Sequence, residues 1–222
     1  YVLNAGGSAT STESYTNLGY ISSATGDWNT NGTWLNGSIP PASAAVTIAH
    51  DITVNAAVTN APNSVTVNSA KSLSFGSGGA ITISTLTITG TVDMTSGGTL
   101  NIAASGTFTN NGTFNRGAGT VNFAGAGTVN GSVATTFNNV TINTGAFTLT
   151  TIPTIDSVFR INGGYLATQS PRYSSSSTLF YNTSYNRYNE WSAVGVGTIG
   201  TTPGYPNNVT CLLYTSDAAD DT

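Results

Sequence analysis

The chain has 222 residues and few charges: Asp, Glu, Lys and Arg make up 6% of it, against about 25% in an ordinary globular domain. Its hydrophobic fraction of 38%, rich in β-branched residues, excludes a disordered segment. The formal charge is −4, and neither a basic patch nor an apolar run of roughly 20 residues is present. We therefore expect no nucleic-acid partner and no membrane insertion.

The first 45 residues are polar and contain GDWNTNGTWLNGSIPP at 26–41, with Trp28 and Trp34. The end of a repeat array exposes unpaired strand edges, and large aromatic side chains can cover them. We therefore predict that residues 1–45 form an N-terminal cap. Aromatic rings also stack on sugar rings, so glycan contact is the functional alternative for the two tryptophans.

Short alternating segments fill the chain from Val46 to Gly164, among them SVTVN (64–68), AITIS (80–84) and GTVNFAGAGTVNG (119–131). In each, Val, Ile, Leu or Phe alternates with Thr or Asn, and this period of two places one face in a core and the other in water. Near-identical phrases separated by glycine turns, at a loose period of roughly 18–23 residues, indicate one repeated unit. The sequence predicts an all-β fold: a parallel β-solenoid, or β-helix, of short Thr/Asn/Gly-rich coils over residues 46–171, with aromatic-rich flanking caps.

A second aromatic-rich flank covers residues 172–210. Trp191, a Gly-rich stretch, Pro206 and a short apolar segment follow one another as they do after Trp34, so we predict that this flank opens a further module. Its tyrosines and tryptophan can cover the coil end or contact a glycan. The candidate glycan-contacting residues of both flanks are Trp28, Trp34, Trp191, Tyr185 and Tyr188.

The last twelve residues, CLLYTSDAADDT at 211–222, change composition abruptly and hold the one cysteine and three of the nine acidic residues. Cys-Leu-Leu-Tyr-Thr-Ser resembles the translation of a transposase-end adapter used in short-read DNA libraries. We interpret residues 211–222 as a non-native tail on a truncated environmental gene, with a genuine acidic tail as the alternative. Without this segment the chain carries six acidic and five basic residues and is nearly neutral.

The segment GDWNTNGTWLNGSIPPASAAVTIAHDITVN (26–55) resembles the start of β-solenoid modules in large secreted surface proteins of the Bacteroidetes type. The Gly/Thr/Asn coils after it are similar to the passenger repeats of autotransporter and haemagglutinin-like adhesins. The resemblance implies a right-handed parallel β-helix and an extracellular or outer-surface, modular, adhesin-like repeat protein. It implies glycans or a host or neighbouring cell surface as partners, together with further modules of the same chain, and it brings no catalytic residues.

Charged residues offer one candidate site. Lys71, Asp93 and Arg116 follow one another at nearly equal intervals that match the predicted repeat, so at one coil per repeat they would stack as a ladder of alternating sign. Such a ladder is either a surface ion-pair column or a contact for acidic polysaccharide. His50 has no second histidine to join it and is expected to face solvent on a strand. No metal site, cofactor or catalytic group is predicted.

Three functions remain on these grounds. We expect a non-catalytic structural or adhesive segment of a secreted or cell-surface bacterial protein, with a carbohydrate-binding or polysaccharide-processing β-helix as the alternative. Ice binding by outward Thr-x-Thr rows, as in TLTITGT (85–91), is the third. It needs threonines in register over many coils, and the sequence argues against it because coil length drifts and Phe, Asn and Ala interrupt the threonine positions.

Overall fold

The computed structural model describes residues 19–183, 188–192 and 196–212. The chain winds into an all-β parallel solenoid of about 7 turns, with 48% strand, so the predicted fold is confirmed. The described residues contain no α-helix, only a single 3-10 turn at Asn31–Thr33, and no helix among them is long and apolar enough to span a membrane.

Five short strands stack in parallel to form the smaller sheet, in the order β10-β8-β6-β4-β2. Their bounds are β2 (Gly26–Asp27), β4 (Ile52–Val54), β6 (Ser72–Phe75), β8 (Thr91–Asp93) and β10 (Thr113–Asn115).

The other fourteen strands form one continuous parallel sheet. Their bounds are β1 (Tyr20–Ile21), β3 (Ala45–Ile48), β5 (Ser64–Val67), β7 (Ala80–Ile88), β9 (Thr99–Asn110), β11 (Thr120–Phe123), β12 (Gly127–Asn130), β13 (Thr136–Ile142), β14 (Gly145–Leu149), β15 (Thr154–Ile161), β16 (Gly164–Leu166), β17 (Arg172–Tyr173), β18 (Thr178–Tyr181) and β19 (Asn208–Cys211).

Each complete coil contributes three strand segments, and so the solenoid has three faces. In one coil these segments are 85–88, 91–93 and 99–102. We call the faces that contain them the first, second and third face; the second is the five-stranded sheet. The larger sheet covers both other faces because β7 and β9 turn a corner, where the pairing register shifts between Ile83 and Thr85.

The core is a column of inward side chains that follows from the alternating pattern. Val, Ile, Leu and Phe at every second position of each strand are almost fully buried, as in the aligned positions Val65, Leu86 and Phe108. The Thr, Ser and Asn residues between them point outward. Burial of this column by stacking each coil on the next accounts for most of the favourable free energy of such an array.

Coil length varies without loss of register on the first face. Thr47, Thr66, Thr87 and Thr109 pair in succession, although the interval between them along the chain grows from each coil to the next. The added residues lie in turns and on the other two faces. A drift in coil length therefore does not displace side chains on the first face, and the sequence-based argument against aligned threonines was wrong on this point.

The second face ends at β10, and the coil geometry changes there. The next coil has a turn at 131–135 and then places Thr136 and Phe137 beside Thr154 and Ile155. Three rings join the two halves: Phe108, Phe114 and Phe137 meet edge to face with centroids 5.3–5.5 Å apart.

Both flanks take part in the stack. At the N-terminal side, β1 and β2 pair in parallel with β3 and β4, so residues 20–27 lie on the first described coil. At the other side, β19 pairs with β18 and includes Cys211, which is exposed. The remainder of the acidic tail, from residue 213 onward, lies outside the described residues.

Candidate functional site

The two N-terminal tryptophans are core residues. Trp28 is 0% exposed and Trp34 is 2% exposed. Their rings meet edge to face at 4.9 Å, and Trp34 Nε1 donates a 2.9 Å hydrogen bond to the main-chain oxygen of Trp28. Neither indole presents a face to solvent, so this pair covers the core and does not form a sugar platform.

The C-terminal aromatic candidates are more exposed. Trp191 is 39% exposed and Tyr188 is 49% exposed. The Tyr188 ring stacks on Tyr165 with centroids 4.6 Å apart and an interplanar angle of 29°. Tyr185, the remaining candidate, lies outside the described residues.

Glu190, which was not among the predicted site residues, organises this flank. Its side chain is fully buried. Oε1 accepts hydrogen bonds from the Tyr181 hydroxyl at 2.9 Å and from the Tyr188 main-chain nitrogen at 2.8 Å, and its main-chain oxygen accepts the Tyr173 hydroxyl at 2.7 Å. A lone acid among tyrosines, in a flank whose other charged residues are Arg172 and Arg187, is the sequence signal that could have indicated a buried acceptor.

The predicted ladder of Lys71, Asp93 and Arg116 does not form. Asp93 pairs in register with Ser74 on one side and Asn115 on the other, and its Oδ1 accepts the main-chain N–H of Thr95. Lys71 lies in the preceding coil but three residues before Ser74, the register partner of Asp93, and its main-chain oxygen accepts the N–H of Thr91. The regular spacing of the three charges misses the register because each interval is longer than the coil that it spans.

Arg116 instead forms an ion pair with Asp156, two coils away. The two side chains are 37% and 29% exposed. The pair borders an open depression of about 450 Å³ where the second face ends, lined by Thr95, Phe114, Asn115, Arg116, Gly117 and Thr136. Its walls offer one cation, already paired, and no second charged group, so the depression lacks the clustered carboxylates or bases of a polysaccharide-cleaving site.

His50 lies in the bend between β3 and β4, not on a strand as expected. Its Nδ1 is 2.8 Å from the main-chain oxygen of Ser22, and its main-chain N–H donates to Ser22 Oγ. The neighbouring Asp51 accepts the Ser72 main-chain N–H and hydroxyl. Both side chains therefore tie one coil to another. Among residues 19–183, 188–192 and 196–212, no group of three His, Cys, Asp or Glu side chains could hold a metal ion.

Asparagine side chains form ladders on the outer surface of the third face and its following turn. Asn182 donates to Asn162, and Asn162 donates to Asn143, at 3.0 and 2.8 Å. Asn122 donates to Asn101 at 3.0 Å in the same way. These amides hydrogen-bond to one another between coils, so on this part of the surface they stabilise the stacking of the coils.

The architecture defines the protein as a parallel β-solenoid with three strand segments per coil. Searches of family models, curated proteins and solved structures found no match to the chain.

Proposed function

We propose that the chain is a non-catalytic structural and adhesive segment of a secreted or cell-surface bacterial protein, in which it acts as a rod between other modules. The observation that carries the proposal is the fourteen-stranded parallel sheet, which runs along the whole described stack over one apolar core. In such an array each coil is held by both neighbours, so opening one coil disrupts two interfaces.

The composition supports a protease-exposed location, at the outer surface or outside the cell. The chain holds only five Lys and Arg residues, so it offers few sites to trypsin-like enzymes. Four of them lie on or next to paired strands, where the backbone is not free to enter a protease cleft: Lys71, Arg116, Arg160 and Arg172. Partners of such a rod are further modules of the same chain and a host or neighbouring surface.

The test is an activity and stability measurement on the full chain. It is incubated with a panel of soluble and insoluble polysaccharides while reducing ends and unsaturated products are measured, and in parallel with trypsin while intact protein is followed. We expect no turnover above a heat-inactivated sample and a long half-life against trypsin. Turnover on any polysaccharide, lost after heating, contradicts the proposal.

Glycan binding is a second candidate because Trp191 and Tyr188, two of the aromatic candidates that the structure describes, are exposed and lie close together in the sequence. Aromatic faces bind sugar rings through their apolar surface. The Trp191→Ala variant is compared with wild type for retention on immobilised glycans. Specific retention that this substitution abolishes favours the second candidate, and retention unchanged by it removes the observation on which that candidate depends.

A further inference from the structure

The first face carries two parallel rows of threonines that the proposed structural role does not use. The pairing register aligns four threonines in each row, and the two rows are two residues apart along the strands. They overlap on two coils, where Thr85 and Thr87 share one strand and Thr107 and Thr109 share the next. We call these eight residues the threonine array: Thr85, Thr107, Thr128 and Thr148 in one row, and Thr47, Thr66, Thr87 and Thr109 in the other.

None of the eight hydroxyls forms a hydrogen bond with another side chain or with the backbone of the described residues, and all eight side chains are at least partly exposed. The third face differs, because its asparagines hydrogen-bond to one another. The array also contains no charged or aromatic side chain. It is therefore a regular surface of unpaired hydroxyls and methyl groups whose hydrogen-bonding capacity is directed to solvent.

The spacing of the array is set by strand geometry. Neighbouring parallel strands lie about 4.8 Å apart, and residues two apart on one strand lie about 6.6 Å apart. Hydrogen bonds between water molecules are about 2.75 Å long. Tetrahedral joining at that length places second-neighbour oxygens of ice about 4.5 Å apart and gives a perpendicular repeat of about 7.3 Å.

The mismatch between the two lattices is small over the length of the array. It amounts to about 0.3 Å per coil along a row, so it accumulates to about 1 Å over four coils, less than half of one ice spacing. Between the two rows there is one spacing, about 6.6 Å, and it is about 0.7 Å shorter than the perpendicular ice repeat. Displacements of the threonine oxygen by a few tenths of an ångström stay within one χ1 rotamer well, and rotation about χ2 turns the hydroxyl hydrogen toward its acceptor.

From this match we infer that the threonine array is an ice-binding face. The hydroxyls would take lattice positions of the outermost ice layer, while the methyl groups between them restrict the orientation of the adjacent water. A soluble sugar is a poorer fit to the array itself, which contains no aromatic ring. On the same face, Tyr165 of β16 lies beyond the Thr148 end of the array, beside Ala146 in register. The inference goes beyond the structural role proposed above, and either can fail without the other.

The array has definite ends. The row that begins with Thr47 is preceded in the stack by Ile21, which is 39% exposed. After Thr109 the same row continues with Asn130. In the other row, Ser64 and Ala45 precede Thr85. The centre, at Thr87 and Thr107, is therefore where a bulky side chain would separate the largest area of hydroxyls from a flat crystal.

The experiment measures the enrichment of the full chain in slowly grown ice relative to the remaining liquid. Thr87→Tyr and Thr107→Tyr are compared with Thr82→Tyr, which changes an outward threonine on the same strand β7 but on the third face. Circular dichroism and the melting temperature establish that each variant is folded, and two array variants keep the test decisive if one fails to fold.

We expect wild type and Thr82→Tyr to be enriched in ice, and both array variants to lose the enrichment. Exclusion of wild type from ice overturns the inference, as does an equal loss in all three variants. Retention of wild type on crystalline cellulose or chitin, with exclusion from ice, would assign the array to a crystalline polysaccharide and also overturn it.

Discussion

Trp34 Nε1 donates to the main-chain oxygen of Trp28 at 2.9 Å, and the two rings meet edge to face with their centroids 4.9 Å apart. The reverse hydrogen bond is missing: Trp28 Nε1 is buried and has no acceptor within the described residues. Two tryptophans of similar burial therefore differ in what their indole N–H groups contribute, since an unpaired buried donor is unfavourable.

The first prediction uses this difference. Trp34→Phe removes a hydrogen bond and leaves a carbonyl oxygen without its donor, whereas Trp28→Phe removes a donor that has no acceptor. Both variants lose ring volume from the core, so both are destabilised. We expect Trp34→Phe to lower the free energy of unfolding by about 1–2 kcal/mol more than Trp28→Phe. Urea unfolding of both variants checks this, and equal losses would show that packing alone accounts for the effect.

The second prediction concerns the buried acid of the C-terminal flank. Tyr181→Phe removes the hydroxyl that donates to Glu190 Oε1, and we expect it to lower the free energy of unfolding by about 1–3 kcal/mol because a buried carboxylate oxygen loses one of its donors. Tyr165→Phe is the matched control, since the Tyr165 ring is partly exposed and its hydroxyl makes no hydrogen bond to a described residue. Its effect is expected to stay within about 0.5 kcal/mol. A loss of similar size in both variants would exclude a special role for Glu190.

The sequence predicted the fold and the buried positions because both depend on local alternation. Val65 and Leu86 lie inward for the same reason that Thr66 and Thr87 lie outward: successive strand residues alternate between faces. This information is present within each short segment. It does not require knowledge of which residue of the next coil is the neighbour.

Relationships between coils could not be predicted in the same way. The regular spacing of the charges placed Asp93 beside Arg116, but Asp93 pairs with Asn115 and Arg116 reaches Asp156. An offset of one position places a strand side chain on the opposite face, and coil length changes by one residue or more from one repeat to the next. The same variation concealed the threonine array, because the added residues lie outside the first face.

The third prediction tests how closely the coils approach at a corner. Gly112 follows Gly90 in the stack, and a Cβ at Gly112 would overlap the main-chain oxygen of Gly90. The backbone of neighbouring coils is held by hydrogen bonds and cannot shift without breaking them. We therefore expect Gly112→Ala to lower the free energy of unfolding by about 3 kcal/mol or more.

Gly32 provides the control for this substitution. A Cβ at Gly32 meets no atom within 4 Å, so Gly32→Ala is expected to be neutral or to stabilise by up to about 1 kcal/mol, through the smaller freedom of the unfolded chain. Thermal unfolding of the two variants separates these outcomes. A Gly112→Ala protein as stable as wild type would mean that the corner can widen, in contrast to the close stacking described above.

The last prediction separates the observed ion pair from the one suggested by spacing. A double-mutant cycle on Arg116→Ala and Asp156→Ala is expected to give a coupling free energy of about 0.5–1 kcal/mol, because both side chains are partly exposed and water screens the pair. The coupling should decrease in high salt. The same cycle on Lys71→Ala and Asp93→Ala is expected to give less than about 0.3 kcal/mol, since these residues are neither paired in register nor in contact. A larger coupling for Lys71 and Asp93 than for Arg116 and Asp156 would contradict the register on which the threonine array also depends.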